Sequence, residues 1–221
     1  MVGQALAERL VSIGHEVMIG TRNVEDALAR TGHDKFGNPE FGDWHKANNR
    51  VKLGTTAKAV AFGEMVINAT RGAHSVEALK QADPKDFEGK VILDIGIPLD
   101  FSRGMPPSLV PELSNTNSVG EEIQRTFPGA RVVKSLNTMN CRIMADPKSI
   151  GNGNHINFLC GNDPDAKEKV KSLLRELGWS DAKLLDLGDL TAARNTEAIV
   201  PLWVRIMITK QSVNFNFDIV D

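Results

Sequence analysis

Thr21, Arg22 and Asn23 are the residues whose types and position most directly suggest chemistry. They follow a short apolar segment, residues 16–20, at the place where a strand would end. An amphipathic helix is predicted just before it, over residues 3–13. An arginine fork binds phosphate oxygens through paired, charge-assisted hydrogen bonds, and a threonine hydroxyl can add another. These three residues are therefore candidates for holding an anionic group.

A helix, a glycine turn, a strand and a polar strand end make the second half of a dinucleotide-binding βαβ unit. In that unit a Gly-x-Gly-x-x-Gly turn joins the first strand to the helix, and Val2 and Gly3 match its last positions. The first strand and two glycines would precede Met1. The expectation is therefore either a misplaced start or a truncated product whose neighbouring strands are exposed.

The polar strand end also indicates which dinucleotide is bound. A cofactor with a free ribose 2′-hydroxyl is usually held by Asp or Glu about 20 residues past the glycines. Thr21 and Arg22 stand there, 18 and 19 residues after Gly3. A carboxylate would repel a 2′-phosphate and an arginine would bind one, so the sequence favours NADP over NAD. The alternative is that residues 21–23 only cap the next helix and Arg22 is solvated.

Composition excludes several other classes of protein. Of the 221 residues, 41% are hydrophobic and 24% are charged, and the net charge of −2 gives no electrostatic case for nucleic acid or anionic membrane. The two cysteines and five histidines show no ligand spacing, so no metal site is predicted. A chain with only two cysteines suits a reducing cytoplasm. The longest apolar stretch, residues 199–208, contains Pro201 and Arg205 and is too short to span a membrane.

Apolar runs alternate with helical patterns along the whole chain. Strands are predicted over residues 17–20, 51–54, 65–70, 91–96, 132–136, 156–161 and 184–187. Continuous rather than alternating hydrophobicity is typical of strands covered on both faces. A long carboxy-terminal helix is predicted over residues 191–210, kinked at Pro201. The fold class is α/β: one Rossmann-type domain, residues 1–221, with a predominantly parallel sheet, helices on both faces and a helical carboxy-terminal extension over about residues 155–221.

Taken with the strand end at residues 21–23, three further segments carry a family resemblance: Leu93-Asp94, Asn137-Thr138-Met139 and Asn214-Phe215-Asn216-Phe217. The chain resembles the NADP oxidoreductases that use the deazaflavin coenzyme F420. The amino-terminal domain of the STEAP metalloreductases belongs to the same group and carries a similar Ser-Arg-Asn.

The resemblance implies a site for each part of NADP. It places the pyrophosphate at Val2 and Gly3 and the 2′-phosphate at Thr21 and Arg22. The nicotinamide ribose would lie near residues 69–72, which include Thr70 and Arg71, and Asn137 would face the nicotinamide. A surface role for Arg71 and a turn-capping role for Asn137 are the alternatives. Asn68, a polar residue within an apolar strand, is interpreted as structural and needs a partner if it is buried.

The resemblance further implies direct hydride transfer between NADP(H) and a second redox coenzyme, deazaflavin or flavin, with no catalytic acid, base or nucleophile. Residues 70–73 depart from the family, which often has an apolar residue and a proline there, so the acceptor site is expected to differ. The alternative function is a non-catalytic or degenerate dinucleotide-binding protein. The apolar face of the last helix, on a chain whose relatives often dimerise, suggests a homodimer.

Overall fold

The predicted strands form the framework of the molecule. The structure is a computed structural model, and it describes residues 1–34 and 37–220. Its strands are β1 Met18–Thr21, β2 Lys52–Thr55, β3 Met65–Asn68, β4 Val91–Asp94, β5 Leu99–Asp100, β6 Ser108–Leu109, β7 Arg131–Ser135, β8 Asn157–Gly161 and β9 Leu184–Asp186. Every predicted strand is present. The short β5–β6 hairpin, in a proline-rich stretch, was not predicted.

Ten α-helices occur in the described residues. They are α1 Val2–Ser12, α2 Val24–Ala29, α3 Phe41–Ala47, α4 Thr56–Phe62, α5 Ser75–Leu79, α6 Val119–Thr126, α7 Cys141–Ala145, α8 Pro164–Leu177, α9 Ala193–Ala198 and α10 Val200–Lys210. Side chains next to the helix starts satisfy free backbone amides there. The Asp163 carboxylate caps α8 ahead of Pro164, and the Ser118 hydroxyl accepts a hydrogen bond from the backbone N–H of Glu121 at the start of α6.

The carboxy-terminal helix predicted with a kink at Pro201 is present as two helices in succession. It divides into α9 and α10 at Ile199, and Pro201 lies in the first turn of α10. Proline has no backbone N–H to donate and fits the first turn of a helix better than its interior. The segment from about residue 155 also begins within the sheet, since β8 and β9 are sheet strands.

Apart from the β5–β6 hairpin, the strands are arranged in two sheets with an open position between them. β3, β4, β7, β8 and β9 form one sheet in that order, parallel except where β7 meets β8. β1 and β2 form a separate parallel pair. Among the described residues, β1 and β3 each keep one edge without a strand partner, and both edges border a cleft of about 920 Å³. The mostly parallel α/β fold is confirmed, but its sheet is divided.

Helices cover both faces of the five-stranded sheet. On one face α1, α7 and α8 pack on alternate strand residues such as Leu93, Val133 and Leu159. On the other face α5, α6 and α9 pack on Ile92 and Val132. Both faces are therefore apolar, which explains why these strands show continuous rather than alternating hydrophobicity.

Candidate functional site

The cleft between the two sheets brings the start of α1 to the strand ends. Gly3, Gly20, Asn68 and Thr70 all line it, together with the start of α4. A Cβ at Gly20 would lie 3.0 Å from the Cβ of Ala59, so α4 approaches the end of β1 closely. This edge of the molecule therefore combines a helix amino terminus with loops that follow strands, the usual position of ligands in open α/β folds.

Val2 and Gly3 begin α1 beside the loop that follows β3. Val2 lines a pocket of about 180 Å³ together with Thr70, Arg71 and Phe101. The amide of Ala5 donates to the carbonyl of Met1, so it is the first to close a helical turn. The earlier amides have no partner within the helix and are suited to an anion.

Thr21, Arg22 and Asn23 do end β1, as predicted, and their side chains have different partners. Asn23 Oδ1 accepts from the amides of Glu25 and Asp26 at 2.9 and 3.2 Å, which caps α2. The helix-capping interpretation thus holds for Asn23. Arg22 is exposed and forms no hydrogen bond or ion pair within the described part of the chain. Its guanidinium therefore remains available for a ligand.

The loop after β3 is fixed from within. Thr70 Oγ1 donates to Asn68 Oδ1 at 2.7 Å and lies 2.8 Å from Ser75 Oγ. A Cβ at Gly72 would come within 2.3 Å of the Ile97 backbone, so only glycine permits this packing. Arg71 is exposed at the rim of the smaller pocket. The structure thus brings Val2, Thr70 and Arg71 together.

Asn137 lies apart from these residues, in the loop after β7. It is 2% exposed, and its Nδ2 donates to the carbonyl of Thr196 at 2.8 Å, while its Oδ1 has no partner among the described residues. The side chain therefore joins the loop to α9 rather than capping a turn. Leu136, just before it, has a φ of +63°. Such backbone strain in a non-glycine residue is concentrated at functional sites.

A buried charge cluster, missed at the sequence level, lies beneath both loops. Asn68, Asp94 and Lys134 are neighbours across three strands, because Asn68 pairs with Asp94 and Asp94 with Lys134. Lys134 Nζ lies 2.8 Å from Asp94 Oδ2 and 2.7 Å from Glu197 Oε1, and also donates to the Gly96 carbonyl. Asn68 is thus buried with a partner, as expected.

The cluster's charges alter one another's ionisation. Burial opposes the charge on Lys134, yet Asp94 and Glu197 outweigh it and hold its pKa above the ordinary value. Burial raises the pKa of Glu197, although Lys134 acts in the opposite direction. A lysine inside an otherwise apolar strand and an aspartate at the end of another were the available sequence signals. Glu197 gave no such signal, because a glutamate in a helix is ordinarily exposed.

Among the described residues, no group of three or more His, Cys, Asp or Glu side chains is placed to bind a metal ion. In the same part of the chain, no helix combines the length and hydrophobicity needed to cross a bilayer.

Comparison with known proteins gives one consistent family. The family described as NADP oxidoreductase, coenzyme F420-dependent, matches residues 1–98. A crystal structure of a proposed F420-dependent NADP-reductase from Arthrobacter sp. FB24 is 45% identical, with a TM-score of 0.92 over 100% of this chain and 95% of that one.

Two curated relatives are more distant. The F420-dependent NADP reductase of Methanocaldococcus jannaschii is 28% identical over 157 residues, 70% of this chain and 66% of that protein. Rat metalloreductase STEAP3 is 26% identical over 205 residues, 90% of this chain. The chain spans 35% of the length of the rat protein.

Proposed function

Since this chain belongs to the family of coenzyme F420-dependent NADP oxidoreductases, we propose that it is an NADP(H)-dependent oxidoreductase that exchanges hydride with a second redox coenzyme. A deazaflavin such as F420 is the proposed second coenzyme, with a flavin as the other candidate. The observation that carries the proposal is the exposed Arg22 guanidinium at the end of β1, which has no partner in the described residues.

The chemistry of the available donors fits NADP. Arg22 presents paired N–H donors to a 2′-phosphate. Within residues 1–34 and 37–220, the Thr21 hydroxyl has one hydrogen bond, a long 3.4 Å contact to the Asn23 carbonyl. Because Asn23 itself occupies the first amides of α2, phosphate contacts would come from the side chains of Thr21 and Arg22. The free amides at the start of α1, those of Val2 and Gly3, would bind the pyrophosphate.

When bound, the nicotinamide ring supplies the hydride, and the protein supplies position. Thr70 and Arg71 line the pocket beside the start of α1, where the ribose and ring would follow the pyrophosphate. Asn137 Oδ1, which has no hydrogen-bond partner in the described part of the chain, is the proposed acceptor for the carboxamide N–H₂. The hydride passes directly to the ring of the second coenzyme, and the proton that completes its reduction comes from solvent. No side chain has to supply that proton, so alignment of the two rings is the protein's task.

The proposed cofactor site is tested with Arg22→Ala. Losing a charge-assisted contact of about 1.5–3 kcal/mol should weaken NADPH binding about 10- to 150-fold and leave NADH binding unchanged. Arg50→Ala is the matched control, because Arg50 is also exposed and precedes β2 at the opposite end of the same parallel pair. Fluorescence titration gives all the affinities. Equal losses for NADPH and NADH would contradict the 2′-phosphate assignment.

Hydride transfer is tested separately from binding. Anaerobic mixing of the protein and NADPH with oxidised F420, and in parallel with a free flavin, should consume NADPH with one of them. Tight NADPH binding without transfer to either would favour the non-catalytic alternative.

We propose in addition that the protein is a homodimer. Leu202 and Ile208 on α10 are 53% and 42% exposed, so this helix offers an apolar surface. Light scattering measures the mass directly, and Leu202→Lys should convert a dimer to a monomer. A monomeric parent protein would refute the proposal.

A further inference from the structure

The two loops assigned to the nicotinamide half are attached to opposite ends of the buried cluster. At one end, Asn68 Oδ1 holds the hydroxyl of Thr70 at 2.7 Å, while Asn68 Nδ2 donates to Asp94 Oδ1 at 2.6 Å. At the other end, Glu197 follows Thr196, whose carbonyl holds Asn137. The two loops are therefore joined beneath the site by polar contacts and by the peptide link between Thr196 and Glu197.

Lys134 is the centre of these contacts and has one arrangement available to it. Its ammonium group has three N–H donors, and the structure gives them three acceptors: Asp94, Glu197 and the Gly96 carbonyl. The side chain is 0% exposed, so water cannot replace any of them. Buried charges of this kind tolerate displacement poorly, because a lost partner is not compensated by solvent.

Glu197 extends the connection to a third element. Its carboxylate accepts from the amides of Val119 and Gly120 at the start of α6, at 3.1 and 3.4 Å. Its hydrogen-bond and ion-pair partners among the described residues, these two amides and the Lys134 ammonium, are all donors. The carboxylate therefore fixes the position of α9 relative to both α6 and β7. The carbonyl of Thr196, and with it Asn137, is placed by the same contacts.

We propose that the cluster Asn68–Asp94–Lys134–Glu197 is a positioning device that sets the Thr70 loop and the Asn137 loop at a fixed distance from each other. Lys134 and Glu197 are its positioning residues. An apolar cluster of equal volume would stabilise the fold as well or better, but it would not couple two polar loops. The assignment of these loops to the nicotinamide half of the cofactor rests on the proposed function. The coupling between the two loops does not rest on it.

The coupling is tested without any cofactor, by hydrogen exchange in Glu197→Gln. Gln keeps the size of Glu197 but replaces one carboxylate oxygen by an N–H₂ group, which then faces the donors Lys134, Val119 and Gly120. Exchange at residues 69–72 and at residues 136–138 should rise together by about tenfold, which corresponds to about 1.4 kcal/mol of opening free energy. Lys134→Met should likewise raise amide exchange at residues 69–72 and at residues 136–138.

The control variant is Lys167→Met. Lys167, in α8, also forms an ion pair: its Nζ lies 3.0 Å from Oδ1 of Asp186, in β9. Neither residue belongs to the two loops. It should leave exchange in both loops unchanged. If amide exchange in Glu197→Gln rises only at residues 136–138, or rises in neither loop, the proposal is overturned.

Ligand affinities test the consequence for the cofactor. In Glu197→Gln the affinity for 2′,5′-ADP, which has no nicotinamide, should be unchanged, while that for NADPH should fall about tenfold. A purely structural residue would weaken both ligands alike, and that result would remove the positioning role. If the parent protein binds neither ligand, the proposed function fails, and hydrogen exchange still decides whether the loops are coupled.

Discussion

Two lysines of this protein allow burial to be separated from ion pairing. Lys134 Nζ lies 2.8 Å from Asp94 Oδ2, and Lys167 Nζ lies 3.0 Å from Asp186 Oδ1. The Lys134 pair is 0% exposed on both sides, whereas the side chains of Lys167 and Asp186 are 15% and 30% exposed. Methionine in place of either lysine keeps most of the volume and removes the charge, so the two substitutions differ mainly in what surrounds the abandoned carboxylates.

The expected costs follow from solvation. Lys134→Met leaves Asp94 and Glu197 buried without a cation, which should lower the free energy of unfolding by about 3–5 kcal/mol. Lys167→Met leaves a carboxylate that water and Lys171, 3.5 Å away, can still reach, so its cost should be about 0–1 kcal/mol.

Urea unfolding followed by circular dichroism measures the change in the free energy of unfolding for both variants, and thermal unfolding measures the change in melting temperature. For a chain of this size, each kcal/mol corresponds to roughly 2–4 °C, so the melting temperature should fall by roughly 6–20 °C in Lys134→Met. A loss in Lys134→Met no greater than that in Lys167→Met would refute the reasoning, because it would mean that the carboxylates are hydrated or that the cluster does not form.

Three further predictions concern other parts of the chain. A thiol reagent should label partly exposed Cys141 and spare Cys160, because burial raises the pKa of Cys160 to about 12; persistent labelling of Cys141→Ser would contradict this. Asn23→Ala should cost about 1 kcal/mol of stability, measured by urea unfolding, through the lost helix cap, and should weaken NADPH binding less than Arg22→Ala does; equal weakening would place Asn23 on the cofactor. Amides of β1 and β3, which border the cleft, should exchange faster than those of β4 and β7; equal protection would show that the cleft is closed in solution.

The main strands, several helix starts and the family could be predicted from local sequence. Continuous apolar runs predict strands wherever both faces are to be covered, and all seven were confirmed. Local signals such as Asp163-Pro164 placed helix starts correctly because capping depends on neighbouring residues only. Thr21 and Arg22 lie at the end of β1, as the sequence predicts, because their position relative to strand and helix is fixed over a short distance. Their contact with a 2′-phosphate stays a prediction.

Tertiary structure decided whatever depends on residues far apart in the chain. The separation of β1 and β2 from the five-stranded sheet is a property of strand neighbours rather than of any one segment. Lys134, Asp94 and Glu197 are separated by 40 and 63 residues, so no local pattern marks them as partners. A buried charge becomes favourable only when distant partners surround it, and the folded chain alone supplies them.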